Sequence, residues 1–367
     1  MKFGFAPHKL LTLKLLAFST ASVLFAGNAL AGLEVQIGST QRGLLEASGE
    51  VTVIITNNSS EATRIERWNT PVGGVLDDLF LVTMNGEEVG YTGVHAKWGN
   101  PGKEDWIEFD AGQSMTAVVK LSNYYDMFKT GNYTVRFDAH RQVESFDKSG
   151  VSEGVSFSEL ESAPAELFVT GNGFSELAAQ RAAVLAAPNA AKAAAQFQNC
   201  SSTRQTQLNT AFASSKTYAT NSSSYFSGRT TANITARYTT WFGAATTTRI
   251  ATASSHYAKI KDALDNKQIV FNCACAAQYA SAYAYVSPNS PYTVTLCGAF
   301  WPAANTGTDS KAGTIVHEVS HFTIVAGTND NAYGQTASKS LARSNPTKAL
   351  NNADSHEYFS ENTPFQN

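Results

Sequence analysis

The alternation of apolar and polar side chains changes its period about half-way along the chain. From residue 32 to about 165 it has the two-residue period of half-buried strands. Val51-Thr52-Val53-Ile54-Ile55-Thr56 is a β-branched run, and Leu79 to Met84, Ser114 to Leu121 and Asn132 to Asp138 are further candidates. Turn residues separate them at Asn57-Asn58, Asn85-Gly86, Asn100-Pro101-Gly102 and Thr130-Gly131-Asn132. Short strands at this spacing predict an all-β, immunoglobulin-like sandwich. An alanine-rich segment follows, from Ser175-Glu176-Leu177 to Gln196, interrupted by Pro188-Asn189; it reads as a linker that proteases can reach. From about residue 197 the period lengthens. Helices are predicted over Ser202 to Tyr225 and Thr246 to Leu264, and strands over Ile269 to Cys275, Ser281 to Val286 and Thr293 to Cys297. Three more helices are expected at about 309–325, 331–343 and 347–360. The expected architecture is therefore multidomain: an all-β unit over 32–170, a linker over 171–196 and an α+β unit over 197–367.

The first 31 residues read as a secretory signal. Lys2, Lys9 and Lys14 precede an apolar stretch from Leu15 to Ala26, and Ala29-Leu30-Ala31 is a small-x-small cleavage site before Gly32. The apolar run is short for a membrane span, so no stable membrane association is expected. The remaining chain suits an extracellular protein, with only 16% charged residues. Its net charge of −3 gives no support to a nucleic-acid partner. Charge nevertheless divides at the linker. Residues 32–192 hold 12 Lys and Arg against 22 Asp and Glu, and residues 193–367 hold 12 against 8. Opposite signs favour docking of the two halves, with the first covering the second. His95 and His140, in the strand-rich half, are isolated and read as structural or solvated. Cys200, Cys273, Cys275 and Cys297 all lie in the second half, where export predicts two disulfides. Cys273 and Cys275 are too close to pair comfortably with each other, so each should take one of the other two.

The candidate chemistry is His317-Glu318-Val319-Ser320-His321. Imidazoles four positions apart on a helix share a face, about 5–6 Å apart at Cβ. That suits two ligands to one Zn²⁺, with Glu318 placed to take a proton from a water activated there. A catalytic zinc needs a third protein ligand and an open position. The pattern H-E-x-x-H-x-x-G-x-x-H with a later Met-turn fails, since residue 324 is Ile, 327 is Gly and no Met follows Met127. Glu357 or Glu361, on a later helix, would be one source of the third ligand. Asp330 is another: Gly327 can reverse the chain as the helix ends, and Tyr333 follows three residues on. A closed structural zinc site in a non-catalytic binding protein is the competing class, but it would leave Glu318 without a task.

His317–His321 followed by Gly327-Thr328-Asn329-Asp330-Asn331-Ala332-Tyr333-Gly334 resembles the signature of the aspzincin, or deuterolysin-like, zinc metallopeptidases. The resemblance spans about residues 197–367. It includes Arg237-Tyr238-Thr239-Thr240-Trp241-Phe242-Gly243, Cys297-Gly298-Ala299-Phe300-Trp301 and Thr306 to Thr314. Within that family, Asn352 to Asn362 is similar to the peptidyl-Lys metalloendopeptidases. The resemblance implies a zincin-type catalytic domain with one Zn²⁺ on His317, His321 and Asp330. It implies Glu318 as general base, Tyr333 as oxyanion stabiliser and the pairs Cys200–Cys273 and Cys275–Cys297.

Asp354 and Glu357, three apart on a predicted helix, share a face on which two carboxylates can bind one ammonium. The resemblance places them in the pocket for the residue after the scissile bond, where Lys fits as a compact cation on a flexible stem. The expectation is a secreted proenzyme that cuts protein or peptide substrates on the amino side of Lys. Its first half would act as an intramolecular inhibitor, released at Ala191-Lys192 or at Arg181. A deuterolysin-like peptidase of broader specificity is the alternative.

Overall fold

The structure, a computed structural model, describes residues 32–39, 49–139, 143–146, 152–156, 160–186 and 195–366. The signal-like segment, His140 and the Ala191-Lys192 bond lie outside them.

The strands of the first half are β1 (Leu33–Ser39), β2 (Glu50–Asn57), β3 (Thr63–Glu66), β4 (Phe80–Met84), β5 (Glu87–Glu88), β6 (His95–Trp98), β7 (Trp106–Phe109), β8 (Ser114–Lys120), β9 (Gly131–Ala139), β10 (Val143–Phe146), β11 (Ser152–Ser156), β12 (Leu160–Glu161) and β13 (Ala165–Val169). All but β6 form three sheets, ordered β1-β2-β8, β11-β10-β3-β7 and β12-β9-β4-β5, with β13 also on β9. β2 shows why the strands form. Val51, Val53 and Ile55 are buried while the residues between them are not, so a β-branched run presents one face to a core. The antiparallel register sets Val35 beside Ile55 and Val119 beside Val51 on that face. Phe80, Val82, Val135, Phe137 and Leu167, from the sheet built on β9, close the same core. Each such side chain, fully buried, stabilises the fold by about 1.5–3 kcal/mol.

The second half follows helix α1 (Glu176–Ala186). It comprises β14 (Gln196–Gln198), α2 (Ser202–Tyr225), α3 (Ala236–Phe242), α4 (Thr247–Asn266), β15 (Val270–Asn272), β16 (Ala282–Val286), β17 (Thr293–Leu296), α5 (Lys311–His321), α6 (Gly334–Ser344), α7 (Pro346–Leu350) and α8 (Ala353–Glu361). Its sheet runs β14-β15-β17-β16, with β14, β15 and β17 parallel and β16 antiparallel. Leu208, Trp241, Tyr257, Phe271, Val316 and Phe359 belong to a core that joins the sheet to the helices. Disulfides Cys200–Cys273 and Cys275–Cys297 tie strand ends to neighbouring loops. The single helix expected at 347–360 is two helices. Asn352 takes an extended backbone (φ −113°, ψ 122°), and its Oδ1 accepts from the N–H groups of Asn331 and Ala332. That bond requires the chain to break there.

β6 leaves the strand-rich half altogether. It pairs antiparallel with β16 as the fifth strand of the other sheet, with His95 opposite Val286, Ala96 opposite Tyr285 and Lys97 opposite Ala284. All four of its residues are buried. Trp98 stacks on Trp68 at 4.3 Å and joins Ala96, Tyr279, Ala282 and Cys297 in a small apolar cluster across the junction. Beside it, Asp105 accepts from Ser281 Oγ at 2.9 Å and pairs with Arg67, which donates to the carbonyl of Gln278.

Behind α8, His356 Nδ1 donates to the carbonyl of Asn352, which leaves Nε2 to accept from His256 Nδ1 at 3.0 Å. Burial pulls His256 down to about 4 and His356 to about 3, so the pair is neutral when folded. An unfolded His titrates near 6.5, so below that pH the unfolded chain takes up protons first. Stability should therefore be intact above about pH 6.5 and fall as the pH drops toward 4, by on the order of 5 kcal/mol for the two groups together. Urea unfolding at pH 7 and 4.5 should show this loss, and His356→Gln should show a smaller one.

Candidate active site

α5 carries the central residues, and it is buried along its whole length, Lys311 to His321. Ser310 caps it, its hydroxyl accepting from the N–H of Gly313. Gly313 is needed for another reason. A Cβ there would lie 2.1 Å from Glu361 Oε1 and 2.9 Å from Glu357 Oε1, so only glycine lets α8 press its acids against α5. The helix ends at His321. The chain then turns through Gly327, at φ +61°, and returns Asp330 over the last turn.

Asp330 joins the two imidazoles. Its Oδ1 lies 3.2 Å from His317 Nε2, and its Oδ2 lies 3.4 Å from His321 Nε2. Both Nε2 atoms are buried without a hydrogen-bond partner, whereas each Nδ1 has an oxygen beside it, a backbone carbonyl for His321 and a carboxylate for His317. His321 Nδ1 donates to the carbonyl of Thr328 at 2.7 Å, and His317 Nδ1 meets Asp354 Oδ1 at 2.9 Å. Anchoring one ring nitrogen fixes the tautomer and leaves the other free to bind a metal. Two imidazoles and a carboxylate, all buried, are a donor set that fits zinc.

Glu318 is also fully buried, and burial pushes its carboxyl up to about 8. The amide N–H of Lys97 faces it and favours its charged form. Tyr333, the N-cap of α6, holds its hydroxyl 2.7 Å from the carbonyl oxygen of Ala96, with Asp77 Oδ2 3.0 Å away. The peptide bond between Ala96 and Lys97 thus lies between Glu318 and Tyr333.

The Lys97 side chain reaches into the pocket of α8. Its Nζ lies 2.8 Å from Glu357 Oε2, 3.4 Å from Asp354 Oδ1 and 3.1 Å from Asp309 Oδ1. The rings of Tyr283 and Tyr358 flank it at 5.0 and 5.7 Å. Burial alone would lower the pKa of this amine, but Asp354 and Glu357 outweigh it and hold the ammonium well above the ordinary lysine value. Burial also raises Asp354, yet Lys97 and His317 bring its carboxyl below the usual range. Glu357, opposed by the same lysine, stays above it because burial dominates. Asp354 has two tasks: it orients His317 and shares the ammonium, while its Oδ2 accepts from the N–H of Gly334.

All seven site residues expected from the sequence converge here. His95, expected to be isolated and structural or solvated, is buried and has neighbours from the site. Its ring stacks on His321 at 4.7 Å, and its Nδ1 lies 3.9 Å from Asp330 Oδ2. Among the described residues, His95, His321 and Asp330 form one group with metal-ligand spacing, and His317, Asp354 and Glu357 form another. Sequence reasoning gave no role to Asp309, Tyr283, His95 or Lys97. Only the pairing of β6 with β16 brings the last two to the site.

The family described as lysine-specific metallo-endopeptidase matches residues 227–361. An extracellular protease of Aeromonas hydrophila is 39% identical over 361 residues, which cover 96% of this chain and 98% of that protein. A peptidyl-Lys metalloendopeptidase of Grifola frondosa is 36% identical over 327 residues, 86% of this chain and 89% of that one. The chain belongs to the aspzincin zinc metalloendopeptidases. A third relative of this aspzincin, a peptidyl-Lys metalloendopeptidase of Pleurotus ostreatus, is 51% identical over 170 residues, 46% of this chain and 98% of that protein. The family implies a zinc cofactor and protein or peptide substrates, and the donor set around Asp330 fits that ion.

Substitution should separate holding the metal from using it. Asp330→Ala should purify without stoichiometric zinc, measured by elemental analysis. Glu318→Ala should retain zinc yet lose about 10²–10⁴-fold in kcat, the usual contribution of a general base. Retained activity in Glu318→Ala would contradict that role.

Proposed function

We propose that this aspzincin is a secreted endopeptidase made as a proenzyme, and that it hydrolyses the peptide bond on the amino side of lysine. The setting of Lys97 carries the specificity: a buried ammonium between Glu357, Asp354 and Asp309, with its own amide nitrogen beside Glu318. A lysine of a substrate would put its side chain in the same pocket and its preceding peptide bond in the same place. Asp309 would join Asp354 and Glu357 as a third pocket carboxylate.

His317, His321 and Asp330 would hold one zinc ion, which when bound polarises a carbonyl and lowers the pKa of water toward roughly 7. Glu318 would take the proton of the attacking water and pass it to the leaving nitrogen as the C–N bond breaks. Tyr333 would donate to the carbonyl oxygen as it gains negative charge. No covalent enzyme intermediate is required.

Several features support export and a precursor. Residues 1–31 have the pattern of a signal peptide, two disulfides suit an oxidising compartment, and the Aeromonas relative is named extracellular. No helix among the described residues is long and apolar enough to cross a membrane. We read residues 32–170 as an immunoglobulin-like prodomain, on the strength of antiparallel sheets closing one core, and 197–367 as the catalytic domain.

Digestion of a mixed peptide library, read by mass spectrometry with and without a zinc chelator, tests the reading. New N-termini should be enriched in Lys and should vanish with the chelator. Absence of Lys enrichment would point to the broader deuterolysin-like specificity. Glu357→Gln should lower kcat/KM for Lys substrates by about 10–100-fold, the loss of one hydrogen bond to a buried charge.

A further inference from the structure

β6 lies in the cleft as a substrate would, yet one of its residues is placed to prevent the reaction. Side chains two apart on a strand point to the same face. Lys97 therefore enters the carboxylate pocket and His95, two residues earlier, is delivered to the neighbouring position over His321 and Asp330. The intervening carbonyl of Ala96 meets Tyr333 at 2.7 Å. His95 is held there from both sides: its ring stacks on His321 at 4.7 Å and packs against Tyr91 at 5.3 Å. Its Nδ1 lies 3.9 Å from Asp330 Oδ2, within one set of metal-ligating atoms.

We propose that His95 is a ligand to the zinc of the intact chain, closing the position that catalysis needs open, while Lys97 occupies the lysine pocket. The first half would then inhibit as an uncut pseudo-substrate, gripped at two points two residues apart. A zinc site with three protein ligands keeps a place for water, and a fourth protein ligand removes it. The Ala96–Lys97 bond would survive beside Glu318 because the water it requires has no place to bind. The pocket arm rests on the proposed lysine specificity; the metal arm needs only the donor set around Asp330.

Zinc K-edge X-ray absorption on the intact chain should count three imidazole ligands, and on His95→Ala it should count two. Zinc transfer to a colorimetric chelator should be about tenfold or more faster from His95→Ala than from the intact chain. His95→Gln, a smaller disturbance to packing, should behave alike, with unfolding midpoints confirming that both variants fold. By intact mass, His95→Ala should also cut itself between Ala96 and Lys97, and His95→Ala with Lys97→Ala should not. Two imidazoles in the intact chain, or equal zinc release from the intact chain and both folded variants, would overturn the proposal. The library digest fails or succeeds separately, because the released catalytic domain no longer carries β6. Three imidazoles with no Lys enrichment would leave the metal arm standing and remove the pocket arm.

Discussion

A cluster of buried carboxyl groups must find positive charge or keep its protons, and the site is built around that constraint. Glu318, Asp330, Asp354, Glu357 and Glu361 are all buried around α5. Moving an ionised carboxylate out of water without a partner costs several kcal/mol even after the surroundings relax. Three answers coexist here. Asp330 faces two imidazole nitrogens placed for a cation. Asp354 and Glu357 share an ammonium. Glu361, pushed up to about 9 by burial and by Glu357, accepts from the hydroxyl and N–H of Ser310.

That need explains why so much of the fold is spent on orientation. α8 has to present its acids to α5 at close range, and Arg237 holds its far end by donating to the carbonyl of Phe359 while lying over that ring. Asn352 holds its near end and the Asp330 loop together. Loss of one partner from such a group is more damaging than the mean worth of a hydrogen bond suggests, because the remaining charge stays buried.

What was legible in the sequence was local. H-E-x-x-H, Gly327, Asp330 and the Asp354–Glu357 spacing each express a helix face or a turn, and the second half folds as those patterns require. α2 spans the residues its periodicity predicted, and β2 and β9 differ from expectation by single residues at their ends. The break at Asn352 was not legible, because its cause is a bond to Asn331 and Ala332, twenty or so residues earlier. Nor was β6. His95-Ala96-Lys97-Trp98 is an ordinary short apolar-and-cationic stretch, and its importance comes from a sheet partner in the other half. Strand pairing across so long a separation leaves no periodic trace in either strand.

The pairing of β6 with β16 also covers a sheet edge. β16 has β17 on one side, and its other side would present a row of unpaired N–H and C=O groups. Such an open edge invites pairing with any extended chain, including another copy of itself. On the proposed reading, in which a substrate takes the place of β6, that edge has to stay available. In the proposed proenzyme, keeping its own strand on the edge until the first half departs would delay the exposure of a sticky surface to the moment when there is something for it to bind.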